Sequence, residues 1–315
     1  MSSKVRSGSP FLFVINYEMD DFRLYSFERA AEEGIFFNIK GVTNTSEKSL
    51  ERPARVTLQA NPIDFETYNT AYQQVRKHIF HGNTFLLNLT FPTPLECNLK
   101  LEEIFHFSQA PYKLLFKDQF VVFSPENFIR IKGNTIFSYP MKGTIDASLK
   151  GAEKMLLNNE KEIREHNTIV DLIRNDLSLV AKNVRVLRFR FIDRIRTHKG
   201  ELLQVSSEIS GELSENWKDE LGTLLISLLP AGSICGAPKK KTLEVIKEAE
   251  GTDRGFFTGI FGIFDGRELD SAVMIRYIES TENGLQFRSG GGITGRSDPR
   301  EEYNEMMDKV YVPII

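Results

Sequence analysis

The sequence predicts an α+β fold. Segments rich in β-branched and aromatic residues open the chain, recur through its middle and crowd its last quarter. Amphipathic helices fall between them, without the strict strand–helix alternation of a parallel sheet. No Gly/Ser linker, low-complexity tract or internal repeat divides the 315 residues, so one domain is expected.

Strands are expected at 11–17, 22–27, 35–42 and 55–60. A helix of about five turns should follow over 64–81, where Tyr68, Tyr72, Val75 and Ile79 fall on one stripe and Gly82 supplies the stop. The run 83–91 reads as a strand, 112–139 as several short strands, and the charged stretch 152–179 as helix. Long strands are expected at 184–197 and 202–213, and helices at 217–229 and 239–250, with Pro238 in a first-turn position of the second. Three strands, 255–264, 269–280 and 285–293, precede a last helix beginning near Asp298-Pro299, where Asp298 and Glu301 have a capping-box-like spacing.

Composition excludes several classes of function. A net charge of −3, with Lys239-Lys240-Lys241 as the one tight basic run, gives no general attraction to nucleic acid or to an anionic membrane. No apolar stretch approaches the roughly 20 residues of a membrane span, and residues 1–10 lack the apolar core of a secretory signal. Cys97 and Cys235 are too few and too far apart for a disulfide framework or a cysteine-built zinc site, which fits a reducing cytoplasm.

The last helix carries the strongest chemical signal. Glu302, Glu305 and Lys309 follow steps of three and four residues, so they share one face. Paired carboxylates suit a hard cation such as Mg²⁺, and a Glu305–Lys309 ion pair on a solvated face is the plainer alternative. Just upstream, Ser289-Gly290-Gly291-Gly292-Ile293 puts three glycines between a strand and that helix. Glycine allows close backbone approach and leaves N–H donors for an anion, and the motif lacks the spacing of a nucleotide loop. Arg276 interrupts the apolar run 273–278, and its planar fork matches a carboxylate. Lys142 sits in the tight Tyr139-Pro140-Met141-Lys142-Gly143-Thr144 segment, where a desolvated amine becomes a nucleophile. In 165–177, His166 has no second ligand at metal spacing, and Asp171, Arg174 and Asp176 read as structural ion-pair residues.

Taken together these segments resemble the chorismate-utilising enzymes, the group of anthranilate, aminodeoxychorismate, isochorismate and salicylate synthases. The matches run from Gly82 to Val310. They comprise the strand from Gly82 to Thr90, Ser124-Pro125-Glu126, Pro140 to Thr144, the Glu165-to-Leu177 segment, Pro230 to Lys239, and the glycine strand with its following Glu302-Tyr303-x-Glu305-x-x-x-Lys309. The resemblance implies two halves built on large antiparallel sheets, with the site in the cleft between them. The 1–81 part would be a shortened N-terminal portion, and no tryptophan pocket is assumed.

By the same resemblance, Glu165 and Glu305, with Glu302 close by, would hold Mg²⁺ against the ring carboxylate of chorismate. Arg276 and the Gly290 and Gly292 amides would take the enolpyruvyl carboxylate, while Thr144 and Lys309 would line the pocket. Lys142 matches the lysine of the aminodeoxychorismate synthases, where anthranilate synthases carry Ala. It would attack ring carbon C2, and ammonia from a glutamine amidotransferase partner would then add at C4. Leu86 stands where the water-using relatives carry a lysine base. Gln204, Cys235 and Ile263 replace a His, a Thr and a Tyr of the family pattern. The alternatives are anthranilate synthase component I and a non-catalytic scaffold that binds chorismate or the amidotransferase.

Overall fold

The computed structural model describes residues 1–45, 55–197 and 200–314, leaving aside the side chains of Thr144 and of residues 195–197. Its frame is a pair of nine-stranded antiparallel sheets flanked by helices, the expected α+β arrangement. The first sheet runs in the order Met141–Asp146, Gly200–Glu212, Thr135–Ser138, Asn127–Lys132, Leu269–Val273, Ile260–Phe264, Phe11–Ile15 and Phe22–Tyr25, with Lys182–Thr197 also paired to Gly200–Glu212. In the second, Leu86–Cys97 lies beside Gly284–Thr294, followed by Tyr277–Thr281, Phe120–Ser124, Tyr112–Phe116 and Ile35–Ile39.

Side-chain alternation explains how the sheets stack. Leu12 and Val14 point into a core shared with Phe37, Leu114 and Val122 of the second sheet. Phe11, Phe13 and Ile15, on the other face, pack into a cluster with Trp217, Leu221 and Leu225 of the helix Trp217–Leu228. Both faces are covered, so this strand reads as an unbroken apolar run.

Several expected elements are divided, each for a local reason. The run 35–42 becomes a hairpin because Lys40 and Gly41 take positive φ, which turns the chain into Val42–Thr43. Residues 152–179 form two helices, Ala152–Asn158 and Glu160–Leu177, because Asn159 caps the second through the N–H groups of Lys161 and Glu162. Ser26 similarly caps a short helix, Phe27–Glu32, which lies almost wholly between the expected strands 22–27 and 35–42. The expected strand 255–264 begins at Ile260.

The most consequential division lies in 269–280. Leu269–Val273 belongs to the first sheet and Tyr277–Thr281 to the second, so the chain changes sheets through Met274-Ile275-Arg276. Beside it, Phe120–Ser124 passes to Asn127–Lys132 in the opposite sense, through Pro125-Glu126. The crossovers are stitched together: Phe123 N donates to Arg276 O (3.1 Å), and Val273 N to Glu126 O (3.2 Å). Arg276 is therefore not an in-strand residue, and its φ of 54° marks the corner.

Candidate active site

The two crossovers open onto a cavity of about 600 Å³, whose wall includes Lys142, Glu165, Arg276, the strand Gly290–Gly292, Glu305 and Lys309. Residues separated by up to 167 positions in sequence thus meet in one place, and most candidates named from sequence share this cavity. Glu302 is set back from the wall and is 3% exposed. Thr144 continues the lysine strand, paired with Gln204, and its side chain is outside the described set.

Lys142 is held by local strand geometry. Met141–Asp146 pairs with Gly200–Glu212, Lys142 opposite Val205 and Thr144 opposite Gln204, so Gly143 is an extra residue in the ladder. Gly143 adopts φ +77°, and a Cβ there would stand 3.0 Å from Glu162 Oε2 and 3.1 Å from Leu156 Cδ1. Beyond this bulge Lys142 Nζ reaches Glu165 Oε2 at 3.2 Å. Burial alone would lower its pKa, but Glu165, Glu305 and Glu162 together outweigh burial and hold it above the usual lysine value.

The carboxylates come from two helices, each carrying a Glu-x-x-Glu pair. On Glu160–Leu177 these are Glu162 and Glu165, and on Pro299–Asp308 they are Glu302 and Glu305. Burial raises the pKa of Glu302, helped by Glu305, and burial raises that of Glu162, helped by Glu165. At Glu305 burial acts upward as well, yet Lys309 overcomes it and leaves the carboxyl below its usual range. Lys309 Nζ donates to Glu305 Oε1 (2.8 Å) and Gly290 O (2.7 Å). Among the described residues, no three His, Cys, Asp or Glu side chains stand close enough to ligate a metal unaided.

The glycine strand divides its labour by alternation. Gly290 pairs with Thr90 and Gly292 with Asn88. Gly290 O accepts from Lys309 Nζ, and the strand Tyr277–Thr281 pairs with the glycine strand only as far as Arg288, which leaves the edge beside Gly290 and Gly292 open. Gly291 faces the charged helix: a Cβ there would lie 3.4 Å from Glu302 Oε2 and 3.8 Å from Lys309 Nζ. On residues of the same wall, Arg276 Nε, Gln204 Oε1 and Ser289 Oγ are buried without hydrogen-bond partners among the described residues. Native structures seldom leave such groups unpaired, so they are candidate partners for a polar ligand.

Sequence reasoning gave no role to Glu126, which lies in the crossover at the cavity wall. Ser233 Oγ donates to Glu126 Oε1 at 2.6 Å. Burial raises the carboxyl pKa, against the pull of Ser233, Lys142, Arg276 and Lys309. A protonated carboxyl facing a ligand cavity can act as a general acid. Its signal was present in Ser124-Pro125-Glu126, but nothing local distinguishes an acid in a cavity wall from one on the outer surface. Glu162 was legible in principle, three residues before Glu165 on the same helix face.

Behind the wall, the buried pair Arg254–Glu250 (2.6 Å) ties these segments together. Arg254 donates to Asn88 O (2.7 Å) and Ile234 O (2.9 Å), while Glu250 Oε1 accepts from Thr90 N (2.8 Å). His166 lies beneath Glu165, 1% exposed, its pKa pushed down to about 4 by burial with help from Arg190 and Lys142. Asp171 pairs with Arg174 (3.1 Å), and Asp176 with Lys239 (3.0 Å), as structural ion pairs. No helix among the described residues is long and apolar enough to cross a membrane.

A cavity with an arginine, a glycine strand and a carboxylate–lysine cluster, set where two antiparallel sheets exchange strands, defines a class. The chorismate binding enzyme family matches residues 15–314, and the chain belongs to that family. It is 52% identical over 309 residues to an uncharacterized PabA-like protein of Haemophilus influenzae, covering 98% of this chain and 94% of the relative. It is 34% identical over 264 residues to an anthranilate synthase component 1 of Haloarcula marismortui (78% of this chain, 52% of the relative). It is 29% identical over 275 residues to aminodeoxychorismate synthase component 1 of Bacillus subtilis (82% and 57%). In fold it is similar to MenF, the menaquinone-specific isochorismate synthase of Escherichia coli, with a TM-score of 0.76 at 16% identity over 98% of this chain and 78% of that one.

Proposed function

We propose that this chain is the chorismate-aminating component of an aminodeoxychorismate synthase, forming 4-amino-4-deoxychorismate from chorismate and ammonia. The observation that carries the reading is the half-buried Lys142 amine in the cavity wall, 3.2 Å from Glu165 and sharing that wall with Glu126. Arg276 and the Gly290 and Gly292 amides would receive the enolpyruvyl carboxylate, with Thr144 and Lys309 lining the ring's place.

Glu165 and Glu305, with Glu302 behind them, would hold Mg²⁺. All three offer carboxylate oxygens, the hard donor set this ion prefers, and it needs only one or two of them when substrate supplies the rest. When bound, the ion would supply positive charge that anchors the ring carboxylate.

Lys142, having lost its proton to solvent, attacks C2 and becomes a secondary ammonium. Both conjugated ring double bonds shift, C1=C2 to C1=C6 and C5=C6 to C4=C5, the C4–O bond breaks, and Glu126 gives its proton to the departing hydroxyl, which leaves as water. Ammonia then forms the C4–N bond, both double bonds shift back, and the C2–N bond breaks, releasing Lys142 as the neutral amine. The net change is chorismate plus ammonia to 4-amino-4-deoxychorismate plus water. Glu126 regains a proton from the incoming ammonium centre, so both side chains are restored.

A partner amidotransferase would supply the ammonia from glutamine. A second reading, direct amination at C2, draws on the 34% identity to an anthranilate synthase component. That reaction needs no amine at position 142. Chorismate with Mg²⁺ and ammonium should give 4-amino-4-deoxychorismate by mass, glutamine alone should give none, and a chelator should stop turnover. Anthranilate as the sole product would overturn the reading.

A further inference from the structure

Ser207, fully buried on the strand Gly200–Glu212, is hydrogen-bonded to three separate segments. Its N–H donates to Pro140 O (3.0 Å), two residues before Lys142. Its Oγ accepts from Arg190 N (2.9 Å) and lies 2.6 Å from Nε2 of His166, the residue after Glu165. Nδ1 of that imidazole has no partner among the described residues, so among them Ser207 is the ring's single polar tie.

Helix Glu160–Leu177 depends on this tie at one end. Its buried residues are His166, Ile169, Val170 and Leu177, so the first turn and a half, which carries Glu162 and Glu165, has no fully buried anchor before His166. Apolar packing is non-directional and leaves a helix free to rotate or slide by fractions of an ångström. A buried hydrogen bond has a narrow range of length and angle and removes that freedom.

The strand Lys182–Thr197 is shaped to complete the arrangement. Its register breaks between Arg188 and Phe191, and Arg190 takes φ +48°. That bulge turns the Arg190 N–H onto Ser207 Oγ, and Arg190 Nη2 reaches Leu157 O (2.9 Å) on the preceding helix.

We infer that the His166–Ser207 hydrogen bond sets the separation of Glu165 from Lys142, which makes His166 and Ser207 positioning residues for the amination. The consequence for turnover rests on the function proposed above, whereas the geometric consequence does not. A displacement of about 1 Å in such a site costs on the order of 100-fold in rate.

Two readouts separate these consequences. The first is the acylation rate of Lys142 by an amine-reactive reagent at one fixed pH, without substrate or metal, read by peptide mass spectrometry against exposed Lys240 as internal standard. The second is kcat and KM for chorismate with ammonium and Mg²⁺. Ser207→Ala and His166→Leu should change Lys142 acylation at least about threefold and lower kcat by about 10- to 100-fold, with KM within about threefold. His166→Gln, whose amide can still reach Ser207, should restore both towards wild type.

Circular dichroism establishes that each variant is folded. If Ser207→Ala is not, Ser207→Cys, with its weaker hydrogen bond, should show the same changes in smaller degree. Folded Ser207→Ala with wild-type acylation would overturn the inference, as would altered acylation with unchanged kcat. Wild-type protein inactive on chorismate would count against the proposed function alone, leaving the acylation result to judge the geometry.

Discussion

Lys142 Nζ stands 3.2 Å from Glu165 Oε2, so the strand Met141–Asp146 and the helix Glu160–Leu177 meet at one ion pair in the cavity wall. The carboxylates outweigh burial and raise the lysine pKa, so this pair favours the fold at ordinary pH and loses that contribution as pH rises through the raised value. Glu165→Gln removes the largest opposing charge and leaves burial to act. Lys142 should therefore be acylated several-fold faster at pH 9 in Glu165→Gln than in wild type. An unchanged rate would show that the pair does not control the lysine.

Glu126 is a half-buried acid whose folded pKa is raised, so ionising it near neutrality costs stability. The favourable, protonated contribution is complete below the unfolded carboxyl value and is lost as pH rises through the folded one. Glu126→Gln keeps a partner for Ser233 and carries no charge. It should melt no lower than wild type at pH 7 yet lose about 10²- to 10⁴-fold in kcat. Thermal denaturation beside steady-state kinetics checks both halves.

His166 gives the opposite acid-side signature. Its pKa is depressed to about 4, so the stability it supports is present above the unfolded value near 6.5 and falls as pH drops towards 4. Over that interval the loss should reach about 3 kcal/mol at most. His166→Gln should flatten this limb in urea titrations run between pH 4 and 7. An identical slope in wild type and variant would contradict the assignment.

The glycine strand offers a contrast between neighbours. A Cβ on Gly290 would stand 2.2 Å from Leu89 O, a backbone atom that cannot yield, whereas one on Gly291 meets nothing nearer than Glu302 Oε2 at 3.4 Å. Gly290→Ala should destabilise by about 3 kcal/mol or more, while Gly291→Ala should stay within about 1 kcal/mol. Denaturant midpoints of the two variants decide it.

How far the sequence discloses this arrangement depends on whether the signal is local. Glu302, Glu305 and Lys309 follow helical spacing, and the three glycines stand together, so each was legible as a unit. Glu126 and Ser233 were not, because their 2.6 Å contact joins positions whose proximity only the sheet crossover creates. Arg276 was recognised by its charge but placed inside a strand, since an apolar run on both sides hides a change of sheet at its centre. The charged stretch 152–179 reads as one helix because charge alone does not mark a break, while the Asn159 side chain that divides it acts over only three residues. His166 and Ser207 gave no signal at all, being polar groups whose partners lie on other segments.

The central claim is that Lys142 forms a bond to the substrate. Incubating the chain with chorismate and Mg²⁺ in the absence of ammonia, followed by proteolysis and mass spectrometry of the peptide containing Lys142, tests it directly. The account predicts a mass increase on Lys142 equal to chorismate minus one water, absent in Lys142→Ala and discharged as 4-amino-4-deoxychorismate when ammonium is added. An unmodified Lys142 under these conditions, together with full activity in Lys142→Ala, would contradict it.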